Sequence, residues 1–355
     1  MSLCSLLNTS RKGVQAARIP GPLSSPADSL FPARKRRSAG FLLVAPSTHQ
    51  GLRSIATAVS ILSALVLLAC TVQQPTPTTE PHDARQVTDE AGRRVTLPAK
   101  IERFISLAPN LTEIAFAVGA GDRLVGNTTF CDFPEQAKKV QKVGNTLQPS
   151  IERILSLRPQ LVLVSTSSQL EAFTKQLDEH EIAVFVTDPR DLEGVFRSIL
   201  SVGDLLNESA AAADLVKQLR ARSETVEHAV AGLPPVSVFF QLSGQPLYTA
   251  GRNSFVTNLI ERVGGRSVTS DVQEAWPRLS DERALASRPE AVIMLSGDSM
   301  GAEANTTVAP ALRNSPAVQH GRVYLIDGDL LTRPGPRLVD GLEQIAHGLH
   351  PEAFK

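Results

Sequence analysis

The sequence predicts an α/β protein of two lobes, each a parallel-type sheet covered by helices, joined by a single long rigid backbone helix with a ligand cleft between the lobes. Three observations predict it. Short continuous apolar runs alternate with amphipathic stretches from residue 86 onward, the pattern of strands buried on both faces. Residues 191–231 contain no proline and are dense in Ala, Leu, Glu, Lys and Arg. A second alternating series follows Pro234-Pro235.

The N-terminal lobe is expected over residues 86–190. Phe104-Ile105-Ser106-Leu107 reads as a strand, and Leu111 to Val118 as a helix started by Asn110 and ended by Gly119. Strand Leu124 to Gly126, helix Ile151 to Leu157, strand Leu161 to Val164, helix 170–180 and strand Ala183 to Val186 follow. The connecting segment is 191–232. Its apolar positions Leu192, Val195, Ile199, Val202, Leu205 and Leu206 keep helical spacing, a break is expected near Asn207, and Glu208 to Val230 continues as helix. At ~1.5 Å per residue that helix exceeds ~30 Å, enough to cross a domain. The C-terminal lobe, 233–355, is expected to hold strand Val236 to Gln241, a Gly-containing turn, helix Ser254 to Val263 followed by Gly264-Gly265, helix Asp281 to Ser287, strands Ala291 to Leu295 and Val323 to Ile326, and helix Leu338 to Leu349.

The 355 residues suit two medium domains plus a leader, and 36 basic against 36 acidic residues leave no net field to attract nucleic acid. Cysteines stand only at positions 4, 70 and 131, too few for a disulfide framework or a cysteine-rich metal site. Residues 54–69 are uncharged, follow Arg53 and end at Cys70, which reads as the core of a signal peptide. The ending Leu67-Leu68-Ala69-Cys70 resembles the lipobox of bacterial lipoproteins, which implies lipidation of Cys70 and an envelope location facing the periplasm or exterior; a membrane-spanning anchor is the alternative. Residues 1–69 are thus a leader and 70–85 a Pro- and Thr-rich flexible tether. The long stretch before the apolar core suggests a translation start near Leu52, with a disordered extension as the alternative.

Several segments carry a family resemblance. Val87-Thr88-Asp89-Glu90-Ala91-Gly92-Arg93-Arg94-Val95, Arg103 to Glu113, Gly119 to Gly126, Phe130-Cys131-Asp132-Phe133-Pro134, Lys142-Val143-Gly144, Ile151-Glu152-Arg153-Ile154 and Leu157 to Val162 resemble the helical-backbone metal receptors, the class III periplasmic binding proteins of ABC importers. Within that family the chain is most similar to the cobalamin-binding receptors, from about residue 86 to the C-terminus. The resemblance implies a monomeric receptor that captures cobalamin or a related corrinoid in the cleft and passes it to a permease and ATPase complex, with haem or a ferric siderophore as the alternative ligand. Phe130, Trp276 and Phe240 fall where such receptors offer aromatic walls, and Asp329 with Arg333 where they face the corrin amides. Thr146 and Ser165 stand where tryptophans are expected, so aromatic surface is lost there. Glu152 and Glu282 occupy the places of the paired glutamates that dock onto permease arginines.

Each of these residues also has a plain structural reading. Trp276 and Phe130 could be core anchors, Asp329 and Arg333 a loop ion pair, and Glu152 and Glu282 helix-start carboxylates. Cys131 reads as a small buried residue rather than an axial metal ligand. The histidines at 49, 82, 180, 228, 320, 347 and 350 form no metal-ligand pattern, so no cofactor is expected and any metal is held by the chelate itself. An enzyme on a related two-lobed fold is the rival class. The sequence has no P-loop or dinucleotide fingerprint after a suitable strand, so no catalysis is expected.

Overall fold

A computed structural model describes residues 84–165, 171–180, 182–297 and 307–355. The expected leader, Cys70 and most of the tether lie outside the described residues. The fold opens on an antiparallel hairpin of β1 (Ala84–Thr88) and β2 (Arg94–Pro98). Buried Asp89 shapes its turn: Oδ1 accepts from the amides of Ala91 (3.1 Å) and Arg93 (2.8 Å), and Gly92 supplies the left-handed backbone at φ +80°. The tether was expected to run to residue 85, but Ala84 and Arg85 already belong to β1. They pair with Pro98 and Leu97, and Arg85 donates to the carbonyls of Asp204 and Leu205.

The N-terminal lobe holds β3 (Phe104–Ser106), α1 (Pro109–Ala117), β4 (Leu124–Asn127), α2 (Ile151–Ser156), β5 (Leu161–Ser165), α3 (Glu171–Glu179) and β6 (Ala183–Thr187). Helix α1 starts earlier than the Asn110 cap predicted. Ala108 is the N-cap and Pro109 takes the first helical position, where a missing N–H is harmless. All four strands are parallel, in the order β4-β3-β5-β6. Leu161, Leu163 and Phe185 face one core cluster, and Val162, Val164, Val184 and Val186 face another. Both faces are therefore covered, as the unbroken apolar runs required.

The connection is a helix pair, α4 (Leu192–Leu205) and α5 (Ser209–Val230), broken where Asn207 takes φ +58°. Asp191 caps α4 through the amide of Gly194 at 2.6 Å. At position 203 a side chain would meet the Cβ of Ala212 at 2.3 Å, so Gly203 lets the two helices close at their bend. Among the described helices only α5, with 22 residues, has the length predicted for a backbone helix.

The C-terminal lobe contains β7 (Val236–Gln241), a short hairpin of β8 (Ser243–Gly244) and β9 (Leu247–Tyr248), α6 (Phe255–Arg262), β10 (Gly265–Ser267), α7 (Asp281–Ser287), β11 (Ala291–Ser296), α8 (Pro316–Gln319), β12 (Val323–Asp327), α9 (Gly328–Thr332) and α10 (Leu338–Leu349). Gly265 begins β10, a strand the sequence reading did not include. Three residues with no apolar side chain gave no strand signal, yet they complete the sheet against β7. The parallel order β10-β7-β11-β12 repeats that of the other lobe: second strand, first, third, fourth. Ion pairs staple α5 to both sides, Arg220 to Glu193 on α4 (2.8 Å), Glu227 to Arg262 on α6 (2.6 Å), and Arg222 to Glu343 on α10 (2.7 Å).

The repeat extends to side chains. Ser150 and Ser280 each cap a helix by accepting from the amide three residues on, and Arg158 and Arg288 each leave it with positive φ, 46° and 41°. Gln160 Oε1 then accepts from the amide of Arg103 (3.0 Å), as Glu290 Oε2 does from that of Ser237 (2.8 Å). One device thus sets the start of the sheet in both lobes.

Candidate functional site

In a parallel sheet of this order the strand connections diverge between the first and third strands, opening a crevice at the carboxyl ends. The strand ends there are polar in both lobes: Ser106, Asn127, Ser165 and Thr187 in one, Gln241, Ser267, Ser296 and Asp327 in the other. The candidate residues gather on the loops that leave these ends.

In the N-terminal lobe the loop after β4 carries Phe130, half-buried at the turn. Lys142 ties the loop down, donating to Asn127 Oδ1 (2.8 Å) and to the carbonyls of Cys131 (3.0 Å) and Ala137 (3.1 Å). Beneath it, Thr112 Oγ1 donates to Ser106 Oγ at 2.9 Å, and Thr128 Oγ1 sits 3.2 Å from Cys131 Sγ and 3.4 Å from Thr146 Oγ1. Cys131 is 1 % exposed, and burial pushes its thiol pKa up, so it stays neutral and acts as packing. Thr146 and Ser165 are buried as well.

In the C-terminal lobe Trp276 is half-buried on the segment before α7. Its indole meets Phe255 edge-on, centroids 5.6 Å apart, and Phe240 at 6.4 Å. Phe240 itself is 1 % exposed. The sequence offered it as a cleft wall; as an inward-facing residue of a buried central strand it backs the indole instead. The Trp276 segment is laced to the chain around β9: the amides of Thr249 and Gly251 donate to Pro277 O (3.1 Å) and Ala275 O (3.0 Å). A side chain at Gly251 would stand 2.0 Å from the carbonyl oxygen of Glu274, so only glycine allows this approach.

Asp329 and Arg333 form the expected pair, at 2.8 Å, but within a larger cluster that crosses between the lobes. Arg333, with a side chain 3 % exposed, also donates to Asp132 Oδ1 at 2.5 Å and lies 3.7 Å from Glu113. Arg337 grips Glu113 with both ends of its fork (2.6 and 3.0 Å) and lies over the ring of Phe133, 4.1 Å from its centroid. Burial raises the Glu113 carboxyl despite Arg337, and burial likewise raises Asp329. For Asp132 burial acts upward too, but the hydrogen bond and charge of Arg333 together bring it below the usual aspartate value. Arg333 Nε is buried without a hydrogen-bond partner. Sequence reasoning missed Glu113, Asp132 and Arg337. The available signal was a single carboxylate, Glu113, inside the otherwise apolar helix Leu111 to Val118.

Glu152 and Glu282 are both exposed at the second position of capped helices, α2 and α7. The Glu282 carboxyl is held below its ordinary value by its own amide and by Ser280. Among the described residues no group of three or more metal-ligating side chains could hold a metal ion, and no helix is long and apolar enough to cross a membrane.

Residues 105–330 match the family described as periplasmic binding protein. The chain belongs to this family. As a member, this receptor is the substrate-binding part of an ABC importer, which binds a small molecule and works with a permease and an ATPase. The receptor is 32 % identical over 276 residues to a substrate-binding lipoprotein of Bacillus subtilis, YvrC, covering 76 % of this chain and 86 % of that protein. It is 28 % identical over 247 residues to a vitamin B12-binding protein of Vibrio vulnificus, 70 % of this chain and 89 % of that one. Among solved structures, the periplasmic vitamin B12-binding protein BtuF of Vibrio cholerae matches with TM-score 0.63 and 26 % identity, over 72 % of this chain and 98 % of that chain. The haem-binding protein BhuT, bound to two haems, matches with the same TM-score and 29 % identity, over 71 % of this chain and 98 % of that one.

Proposed function

We propose that the receptor captures cobalamin or a related corrinoid between its lobes and delivers it to the permease, without catalysis. The observation that carries this reading is Trp276, a half-buried indole held on Phe255 and Phe240 beside the polar ends of the strands. A flat macrocycle bounded by amides needs such a face together with placed donors and acceptors, and Asp329 with the unpartnered Arg333 Nε supplies them. Thr146 and Ser165, short and buried, leave that wall of the cleft without aromatic surface. The relatives named as vitamin B12-binding proteins add weight to the same reading.

Haem or a ferric siderophore is the second reading, favoured by the likeness to haem-binding proteins. Haem normally takes an axial ligand from its protein; Phe130 has no ligating atom and the Cys131 thiol is buried and neutral. That favours a chelate which already saturates its metal. Glu152 and Glu282, matched on two capped helices, are the proposed contacts to permease arginines. Lipidation at Cys70 would tether a monomeric receptor to the outer face of a membrane.

Equilibrium dialysis of the purified protein against cyanocobalamin, haem and a ferric siderophore tests the ligand. Saturable retention of cyanocobalamin above the other two is expected. Preference for the siderophore or haem would transfer the function to the second reading.

A further inference from the structure

A second cavity, of about 440 Å³, opens at the amino-terminal edge of the C-terminal sheet, the opposite end from the strand tips that carry the cleft. Arg266 from β10, Arg288 just after α7, Arg322 just before β12 and His320 just after α8 converge on it. Glu290 is the one carboxylate in its lining, and Oε2 of that side chain already accepts from the amide of Ser237 at 2.8 Å. Arg322 is fixed without a counter-charge, donating to Leu349 O (2.9 Å) and to the Tyr324 hydroxyl (3.4 Å). Arg266 and Arg288 are exposed and form no ion pair with the described residues. Three guanidiniums therefore face one carboxylate.

The internal repeat shows that this basicity is not simply what the fold imposes. By strand register, Arg123 stands in the N-terminal lobe where Arg266 stands here, and Ala183 where Arg322 stands. Arg123 is spent internally, on Glu208 (2.7 Å) and on the carbonyls of Ile101 (2.9 Å) and Leu206 (2.7 Å). Arg158 and Arg288 correspond in the two lobes as well, each leaving its helix with positive φ. The C-terminal lobe has thus gained one guanidinium and left another uncompensated at the same topological edge.

We infer that this cavity binds a phosphate group, gripped by Arg266, Arg288 and Arg322 with the Ser287 hydroxyl and His320 at its margin. Planar guanidinium forks match tetrahedral oxyanions in pairs of hydrogen bonds, and several of them around one cavity favour a multiply charged anion over a carboxylate. The phosphate comes either from a soluble phosphoester or from a phospholipid headgroup at the membrane surface. The inference stands apart from the chelate reading, since no cleft residue lines this cavity.

Calorimetric titration of the full chain at low ionic strength, with inorganic phosphate and separately with glycerophosphoglycerol, tests it. The double variant R266Q/R288Q keeps Arg322 and its structural bonds, so its fold is retained, as an unchanged cyanocobalamin titration would register. Saturable binding of inorganic phosphate, weakened at least tenfold in the variant, is expected if the source is soluble; binding of the diester, weakened likewise, if it is a headgroup. No saturable heat with either probe, or equal binding by the variant, would overturn the inference.

Discussion

Gly251 allows the close backbone approach that seats the Trp276 segment. Alanine there would press its Cβ onto the carbonyl oxygen of Glu274, backbone that cannot rotate away. Overpacking of this kind costs about 1–3 kcal/mol. Gly251→Ala should therefore lower the unfolding midpoint and shift the emission of Trp276, the sole tryptophan, in the folded protein. Asp132 governs a pH effect. Its folded pKa lies below the unfolded value because Arg333 favours the carboxylate, so its contribution is complete above about pH 4 and is lost as acid titrates it below that. In acid unfolding followed by circular dichroism, Asp132→Asn should flatten the stability profile below about pH 4 and lower stability at pH 7. Glu113 has the opposite sign. Burial raises its pKa, so falling pH protonates it sooner than an ordinary glutamate, and that protonation favours the folded state rather than opposing it. Glu113→Ala strands Arg337 beside it, and loss of one partner of a buried pair costs about 3–5 kcal/mol.

At the scale of elements, strong local signals were legible. Helices α7 and α10 run over the residues predicted, Asp281–Ser287 and Leu338–Leu349, because apolar spacing fixes both, a serine cap opens the first, and the second ends at Leu349 just before Pro351. The break at Asn207 was legible too, since asparagine tolerates the left-handed backbone better than most side chains. Strand β10 was not, because Gly265-Arg266-Ser267 is a strand only by its partner β7. The inter-lobe cluster was half legible: Asp329 and Arg333 are four apart, in α9 and just after it, while Asp132 bonds to Arg333 and Glu113 to Arg337 across more than two hundred residues of sequence. Phe240 was misassigned because its place in the strand, and not its residue type, decides which way it faces. Helices α2 and α7 carry a prediction of their own. Replacing both Glu152 and Glu282 with alanine should reduce uptake by cells at least tenfold while leaving ligand affinity of the purified receptor unchanged; unimpaired uptake would remove the docking role.

Two copies of one topology are joined by the helix pair α4 and α5 and held a second time through Arg333 and Arg337. Ion pairs from α5 to α4, α6 and α10 resist bending at the backbone. Each exposed pair contributes little, up to about 1 kcal/mol, but the buried pair of Glu113 and Arg337 adds a firmer link across the cleft. Closure on ligand should accordingly be small. Arg333 already bonds to Asp132 in one lobe and Asp329 in its own, so a ligand that enters shares these groups or takes them over. The most direct measurement is fluorescence titration of the purified protein with cyanocobalamin, following Trp276. The predicted result is saturable quenching at one site, weakened at least tenfold by Arg333→Ala; absence of quenching with cyanocobalamin, haem and ferric siderophore alike would contradict a chelate receptor built around Trp276.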